Sequence, residues 1–154
     1  MSVEMVRLGD VAQFIRGVTF KPDERVEPFS DDSIVCFRTA NIQKNLDESD
    51  LIAIPQKLVK SLEKRVVEGD ILVSSANSWN LVGKCCYVSG LEYEATIGGF
   101  ISLLRRKTKD LDTKYLYYWL SSEEIQSKLR SFSNQTTYLI SGPAPSIRTA
   151  TLES

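Results

Sequence analysis

The chain has 154 residues, of which 42% are hydrophobic and 25% charged, ordinary values for a globular domain with room for one core rather than two. Its 19 Lys and Arg against 20 Asp and Glu leave a net charge of −1, so any anion-binding face must come from local clustering. There is no His, which removes the usual general base of serine and cysteine hydrolases and the commonest zinc ligand.

In chain order, Val6 to Gly17, "VRLGDVAQFIRG", reads as a short helix. Asp10 is its N-cap, Val11, Phe14 and Ile15 form one apolar stripe, and Gly17 supplies a left-handed stop. No signal-peptide block precedes it and no uncharged run is long enough to span a bilayer, so a cytoplasmic location is expected. "FKPDERVEPFSDDS", from Phe20 to Ser33, is rich in Pro and acid and reads as a surface loop. "IVCFRTANI", Ile34 to Ile42, is a β-branched and aromatic strand that ends in polar residues. Pro55 then opens a short helix, and Glu68-Gly69-Asp70 turns into the next strand.

The centre is strand-rich, with candidates at Ile71 to Ser74, Leu81 to Val88 and Phe100 to Arg105. "SGLEYEATIGG" connects the last two, and its Gly98-Gly99 pair suggests a close backbone approach or a bulge. From Asp112 the pattern turns helical. Asp112 or Thr113 caps a first helix, and Ser121 with Glu124 makes a capping box for a second. Leu116, Trp119, Leu120, Ile125 and Leu129 supply the inward stripes. The last 15 residues, "ISGPAPSIRTATLES", have two prolines and no apolar period, so 1–139 is expected to be the domain and 140–154 an irregular tail. Cys36, Cys85 and Cys86 show no Cys-x-x-Cys spacing, and neighbours in a strand face opposite ways. Three buried, reduced thiols and no metal are expected.

Four polar stretches flank the strands: "RTANI" (38–42), "SSANSWN" (74–80), "ATIGG" (95–99) and "SNQTT" (133–137). Asn and Gln amides bind adenine bidentately in the major groove, Arg does so for guanine, and Ser or Thr serve either. Trp79 suits packing on a sugar or an exposed base. Lys84, and the run Arg105, Arg106, Lys107 and Lys109, are candidate phosphate contacts. Each stretch also has a plain structural reading. "SSANSWN" fits a polar hairpin loop whose Trp covers the core edge, "RTANI" a strand end and turn, "RRKTKD" a solvated turn, and "YLYYWL" a buried helix face.

The ordered set "LGDVAQFIRGVTF", "FRTANI", "VEGDILVSSANSWNLVGKCCYV", "YEATIGGFISLLR", "TKYLYYWLSSEEIQSKL" and "SNQTT" resembles one target recognition domain of the specificity subunit of type I restriction–modification systems. The likeness runs over roughly Val6 to Leu139, and it rests on the order and spacing of the motifs rather than on any one of them. The resemblance implies an α+β (mixed α/β) unit, a twisted, partly curled sheet with flanking short helices whose loops enter the DNA grooves. It implies reading of one half of a split double-stranded DNA site, with no catalysis in this chain. Methylation and restriction would belong to partner subunits that use S-adenosylmethionine and ATP with magnesium.

Carried over residue by residue, Asn77, Ser78 and Asn80 would read bases, supported by Ser75 and Trp79. Arg38, Thr39 and Asn41 would form a second contact stretch, and Gln135 with Thr136 a third. Gly98 and Gly99 would let backbone approach phosphate, and Lys84 would hold a phosphate. The central loop carries no charge from Ile71 to Gly83, as suits discrimination rather than general attraction to DNA. Family members continue past this point into a long spacer helix. Here "YLISGPAPSIRTATLES" shows no heptad, so docking of the methylating subunits in the family manner is not expected.

Two other classes compete. A Ser75–Lys84 dyad would hydrolyse amides without His, but Ser75 sits in a Ser/Asn run and no separate oxyanion loop is visible. A module that only interferes with assembly and no longer binds DNA is consistent with the sequence pI of 5.6.

Overall fold

The structure, a computed structural model, describes residues 2–74, 84–130 and 146–151. In chain order its strands are β1 (Ser2–Arg7), β2 (Ala12–Arg16), β3 (Ser33–Phe37), β4 (Ile52–Pro55), β5 (Ile71–Ser74), β6 (Cys85–Tyr87), β7 (Ala95–Ile97), β8 (Ile101–Arg106) and β9 (Ser146–Thr151). The helices are α1 (Leu8–Val11), α2 (Thr113–Ser121) and α3 (Glu123–Arg130).

Successive strand residues face opposite sides, and that alternation sets the layers. A four-stranded antiparallel sheet runs β2-β8-β5-β6. From it Ile71, Val73, Cys85 and Leu104 point to one side, where Leu116, Leu120 and Ile125 of the helices close over them. Leu72, Cys86, Ile101 and Leu103 point to the other, against Val35, Phe37 and Ile97 of a second sheet. The second sheet runs β4-β3-β7, with β3–β4 antiparallel and β3–β7 parallel. Its far side carries Ile34, Cys36 and Ile54, covered by Val18, Phe20, Leu58 and Val59. β5 is thus buried along its whole length, which is why it reads as an unbroken apolar run. β1 and β9 form a separate antiparallel pair.

The mixed α/β class is as expected, and so is β5 to the residue; β8 starts one residue late. Asp112 caps α2, its Oδ1 accepting the Lys114 N–H at 2.8 Å. All three cysteines are free and buried. Burial pushes each thiol up to about 12, which leaves them protonated and inert near neutral pH.

Several expectations are corrected. Only Leu8–Val11 of the predicted first helix is helical; Ala12–Arg16 is a strand paired with β8, and Asp10 lies inside α1 rather than capping it. The triplet Val11, Phe14, Ile15 satisfies either period. In the structure Phe14 packs toward the helices and Ile15 toward the second sheet, which is strand alternation. The second C-terminal helix is capped by Ser122, whose Oγ receives the Ile125 N–H at 3.4 Å, one residue after the predicted Ser121. Pro55 ends β4, and the turn that follows is a single 3-10 turn over Gln56–Leu58. β4 and β7 went unread because β4 ends at a proline and β7, three residues long, runs straight into the Gly98-Gly99 pair. The end expected to be irregular contains β9. Among the described residues no helix is long and apolar enough to cross a membrane.

Candidate nucleic-acid interface

β3 stops at Phe37 because the next residues fold back on themselves. Asn41 accepts the Arg38 N–H on Oδ1 at 2.7 Å, and the Asn41 N–H reaches the Arg38 carbonyl at 2.9 Å, giving a 3-10 turn over Thr39–Asn41. The Asn41 amide also donates to the carbonyls of Asp47 at 2.9 Å and Asp50 at 3.0 Å. The residue is 2% exposed. Asn41, expected in a second DNA-contact stretch, is therefore occupied in pinning the 42–50 loop to the end of β3. Asn41→Ala leaves these buried partners unpaired and lowers stability by about 2 kcal/mol, read as a lowered urea midpoint.

Arg38 does face the surface. Its Nη2 donates to the Asp50 carbonyl at 3.0 Å and pairs with the Asp50 carboxylate at 3.2 Å. The Asp50 side chain is 84% exposed. Such a pair contributes at most about 1 kcal/mol, so an incoming phosphate can compete for the guanidinium. The Arg38 Nε is shielded from solvent and has no hydrogen-bond partner among the described residues.

β7 delivers Gly98 against this strand end. The Gly98 N–H donates to Phe37 O at 3.0 Å, Val18 N–H to Ile97 O at 2.8 Å and Gly17 N–H to Ile101 O at 3.1 Å. A Cβ on Gly17 would lie 1.9 Å from Gly98 O, so Gly17 is required by close approach, not by a left-handed helix stop. A Cβ on Gly99 would lie 3.0 Å from Thr19 Oγ1. The close approach expected of the Gly98-Gly99 pair is present, but its partners are Gly17, Thr19 and Phe37. The Gly98 N–H is spent on Phe37, so it is not offered to a phosphate.

The central loop opens beside this turn. Ser74 pairs across from Ile101, and its N–H donates to Lys84 O at 2.8 Å. Lys84 Nζ donates to Gln43 Oε1 at 2.9 Å, tying the loop's far flank to the segment after Asn41. Ser75, Asn77, Ser78, Trp79 and Asn80, with Gln135 and Thr136, lie outside the described residues.

Arg38, Thr39, Gly98 and Gly99 thus line one cleft of about 540 Å³, beside the point where the central loop leaves β5. Val18, Phe20 and Ile101 supply its apolar wall. Arg25 and Phe100 also line it, and neither stands out in the sequence. Phe100 heads the apolar run "FISLL" and so reads as core, yet it is 64% exposed. The preceding glycine pair is the only local sign that the chain turns there.

The basic run that ends β8 and continues past it is engaged by the fold itself. Arg105 Nε and Nη2 hold the Asp70 carboxylate at 2.9 and 2.8 Å, and the same guanidinium reaches the carbonyls of Glu63 and Arg65 at 3.0 and 2.8 Å. Arg106 donates to Leu111 O at 3.0 Å and Lys107 to Gly9 O at 2.8 Å. These three cations, expected as phosphate contacts, bind the fold's own acceptors; Lys109 is exposed.

A family model described as the type I restriction modification DNA specificity domain matches residues 2–154. Over 124 residues the chain is 32% identical to the StySPI specificity subunit of a type I restriction enzyme from Salmonella potsdam. It is 31% identical to the EcoKI specificity subunit from Escherichia coli over the same length. Each alignment covers 80% of this chain but 26% of the relative, so the chain spans about a quarter of the length of the curated relatives it matches. Among solved structures, the HsdS subunit from Thermoanaerobacter tengcongensis superposes with a TM-score of 0.69 at 20% identity, covering 97% of this chain and 33% of that one. A structure from work on complex assembly and conformational transition of the type I R-M system gives 0.64 at 17%, covering 97% and 34%. At these identities the structural likeness speaks for the fold alone. The family model and the relatives above 30% identity together show that this chain belongs to the type I restriction–modification DNA specificity domains.

Proposed function

We propose that this domain recognises double-stranded DNA by sequence, reading one half of a bipartite site for a type I restriction–modification complex, with no catalysis of its own. What supports this reading is the gathering of Arg38, Thr39, the Gly98-Gly99 turn and both described flanks of the 75–83 segment at one end of the packed sheets. Asn77, Ser78 and Asn80, aided by Ser75 and Trp79, discriminate bases through amide and hydroxyl contacts, and Gln135 with Thr136 adds a further stretch. Lys84 and Arg38 hold phosphates. Methylation and restriction come from partner subunits that bind S-adenosylmethionine, ATP and magnesium, and the complex works in the cytoplasm.

The test is selection of randomised duplex DNA by the purified chain at low salt, followed by sequencing. A short enriched motif is the expected result. Against that motif, Asn77→Ala with Asn80→Ala lowers specific binding by about tenfold or more and leaves non-specific binding intact. Lys84→Ala weakens binding to every sequence alike and reduces the salt slope by about one. Flat enrichment, with binding lost by moderate salt, would contradict the reading.

A further inference from the structure

We infer that Phe100 is a specificity-determining residue of this interface, its ring meeting the C5-methyl group of a thymine in the major groove. The inference rests on the DNA-reading function proposed above and adds to it a residue and a chemical group that it recognises.

Phe100 occupies the third position of a tight turn, Gly98-Gly99-Phe100-Ile101, closed by the Ile101 N–H on Gly98 O at 3.0 Å. Phe37, Val18 and Gly17 hold the base of that turn through the three backbone hydrogen bonds already given. Ile97 and Ile101, on either side, are 0% and 1% exposed. The turn is therefore fixed by the core, while the phenyl ring between these anchors is directed outward at the cleft. A rigidly presented aromatic ring loses little conformational freedom on contact, which favours a recognition role.

The surroundings select the occupant. Arg25, Arg38 and Thr39 share the cleft with Phe100, and no carboxylate is among the described residues lining it. Phe29, Leu62 and Tyr118 are more exposed still, but none of them lines the cleft. Two guanidinium groups, a hydroxyl and an apolar ring suit a partner with anionic edges and one small apolar projection. In duplex DNA the phosphates provide the first, and the thymine methyl is the apolar group that the major groove displays. The ring also lies beside the origin of the central loop, since Ser74 pairs with Ile101, so both can address neighbouring base pairs.

The decisive experiment replaces each thymine of the selected motif, on either strand, by deoxyuridine, which lacks only the methyl. At one position the wild-type chain is expected to bind about fourfold more weakly, the worth of one buried methyl group. Phe100→Ala is expected to bind the thymine and deoxyuridine duplexes equally at that position, and Phe100→Leu to retain part of the discrimination. Because the side chain is largely exposed and the turn is held by backbone hydrogen bonds, both variants should stay folded, as circular dichroism would verify. If Phe100→Ala keeps the wild-type motif and the same deoxyuridine penalty, or if no thymine in the motif is sensitive, the role of Phe100 is overturned while sequence reading stands. If the wild-type chain selects no motif, both fall.

Discussion

Arg105→Ala is expected to lower the stability of this domain by about 3–5 kcal/mol, because it strands a buried carboxylate. The Asp70 side chain is 1% exposed, and its oxygens are satisfied by Arg105 Nε and Nη2 and by the Val67 N–H at 2.8 Å. Removing the guanidinium leaves a desolvated charge with one donor, and it also frees the carbonyls of Glu63 and Arg65. The hydrogen bond to Asp70 raises the Arg105 pKa further above its ordinary value, so the guanidinium is charged at any pH where the protein is handled. Arg105→Lys should recover only part of the loss, since an ammonium cannot reproduce the two parallel bonds to a carboxylate. Urea denaturation followed by circular dichroism measures this. A midpoint for Arg105→Ala equal to the wild type would mean that the pair contributes nothing to holding the 62–70 segment against β8.

Gly17→Ala is expected to be nearly as damaging, about 3 kcal/mol and at the upper end for an overpacked site. The added methyl would meet Gly98 O at 1.9 Å, Gly98 C at 2.5 Å and Ile97 O at 2.6 Å. All three are backbone atoms, so no side chain can rotate away. Relief requires the ends of β2 and β7 to part, which breaks the Val18–Ile97 and Gly17–Ile101 hydrogen bonds. The same hydrogen bonds hold the Gly98–Ile101 turn, so DNA selection should degrade in whatever fraction of Gly17→Ala stays folded. Gly9→Ala is the control: nothing lies within 4 Å of its added Cβ, and its melting temperature should match the wild type. Equal melting temperatures for both variants would show that the two sheets are not joined as tightly as this contact implies.

Much of the frame was legible from local pattern. β5 was readable because a strand buried on both faces must be apolar at every position, and α2 because Asp112 is followed by a helical stripe. The family, too, was legible, through the order of motifs along the chain. The candidate site was legible only in part. "RTANI" was rightly placed at a strand end, whereas the first three residues of "ATIGG" are strand β7, and the side chains of both stretches divide between surface and interior in ways that no short window reveals. Arg38 and Thr39 line the cleft, whereas Asn41, three residues on from Arg38, is buried on carbonyls of the loop that follows.

By itself the sequence determined the apolar run of β5, the Asp112 cap and stripe of α2, the reduced thiols and the exclusion of histidine chemistry, since all of these depend on residue type and near neighbours. Tertiary structure decided which of two periods the 12–16 segment obeys, by pairing it with β8 some 90 residues later. It also decided that the basic run serves the fold: Lys107 finds its acceptor at Gly9, 98 residues away in the chain. A polar side chain faces DNA or a carbonyl according to what the rest of the chain places beside it, and a glycine is indispensable or idle according to the backbone opposite. Those partners are brought together only by the packing of the two sheets, and that packing presents Phe100 at the mouth of the cleft.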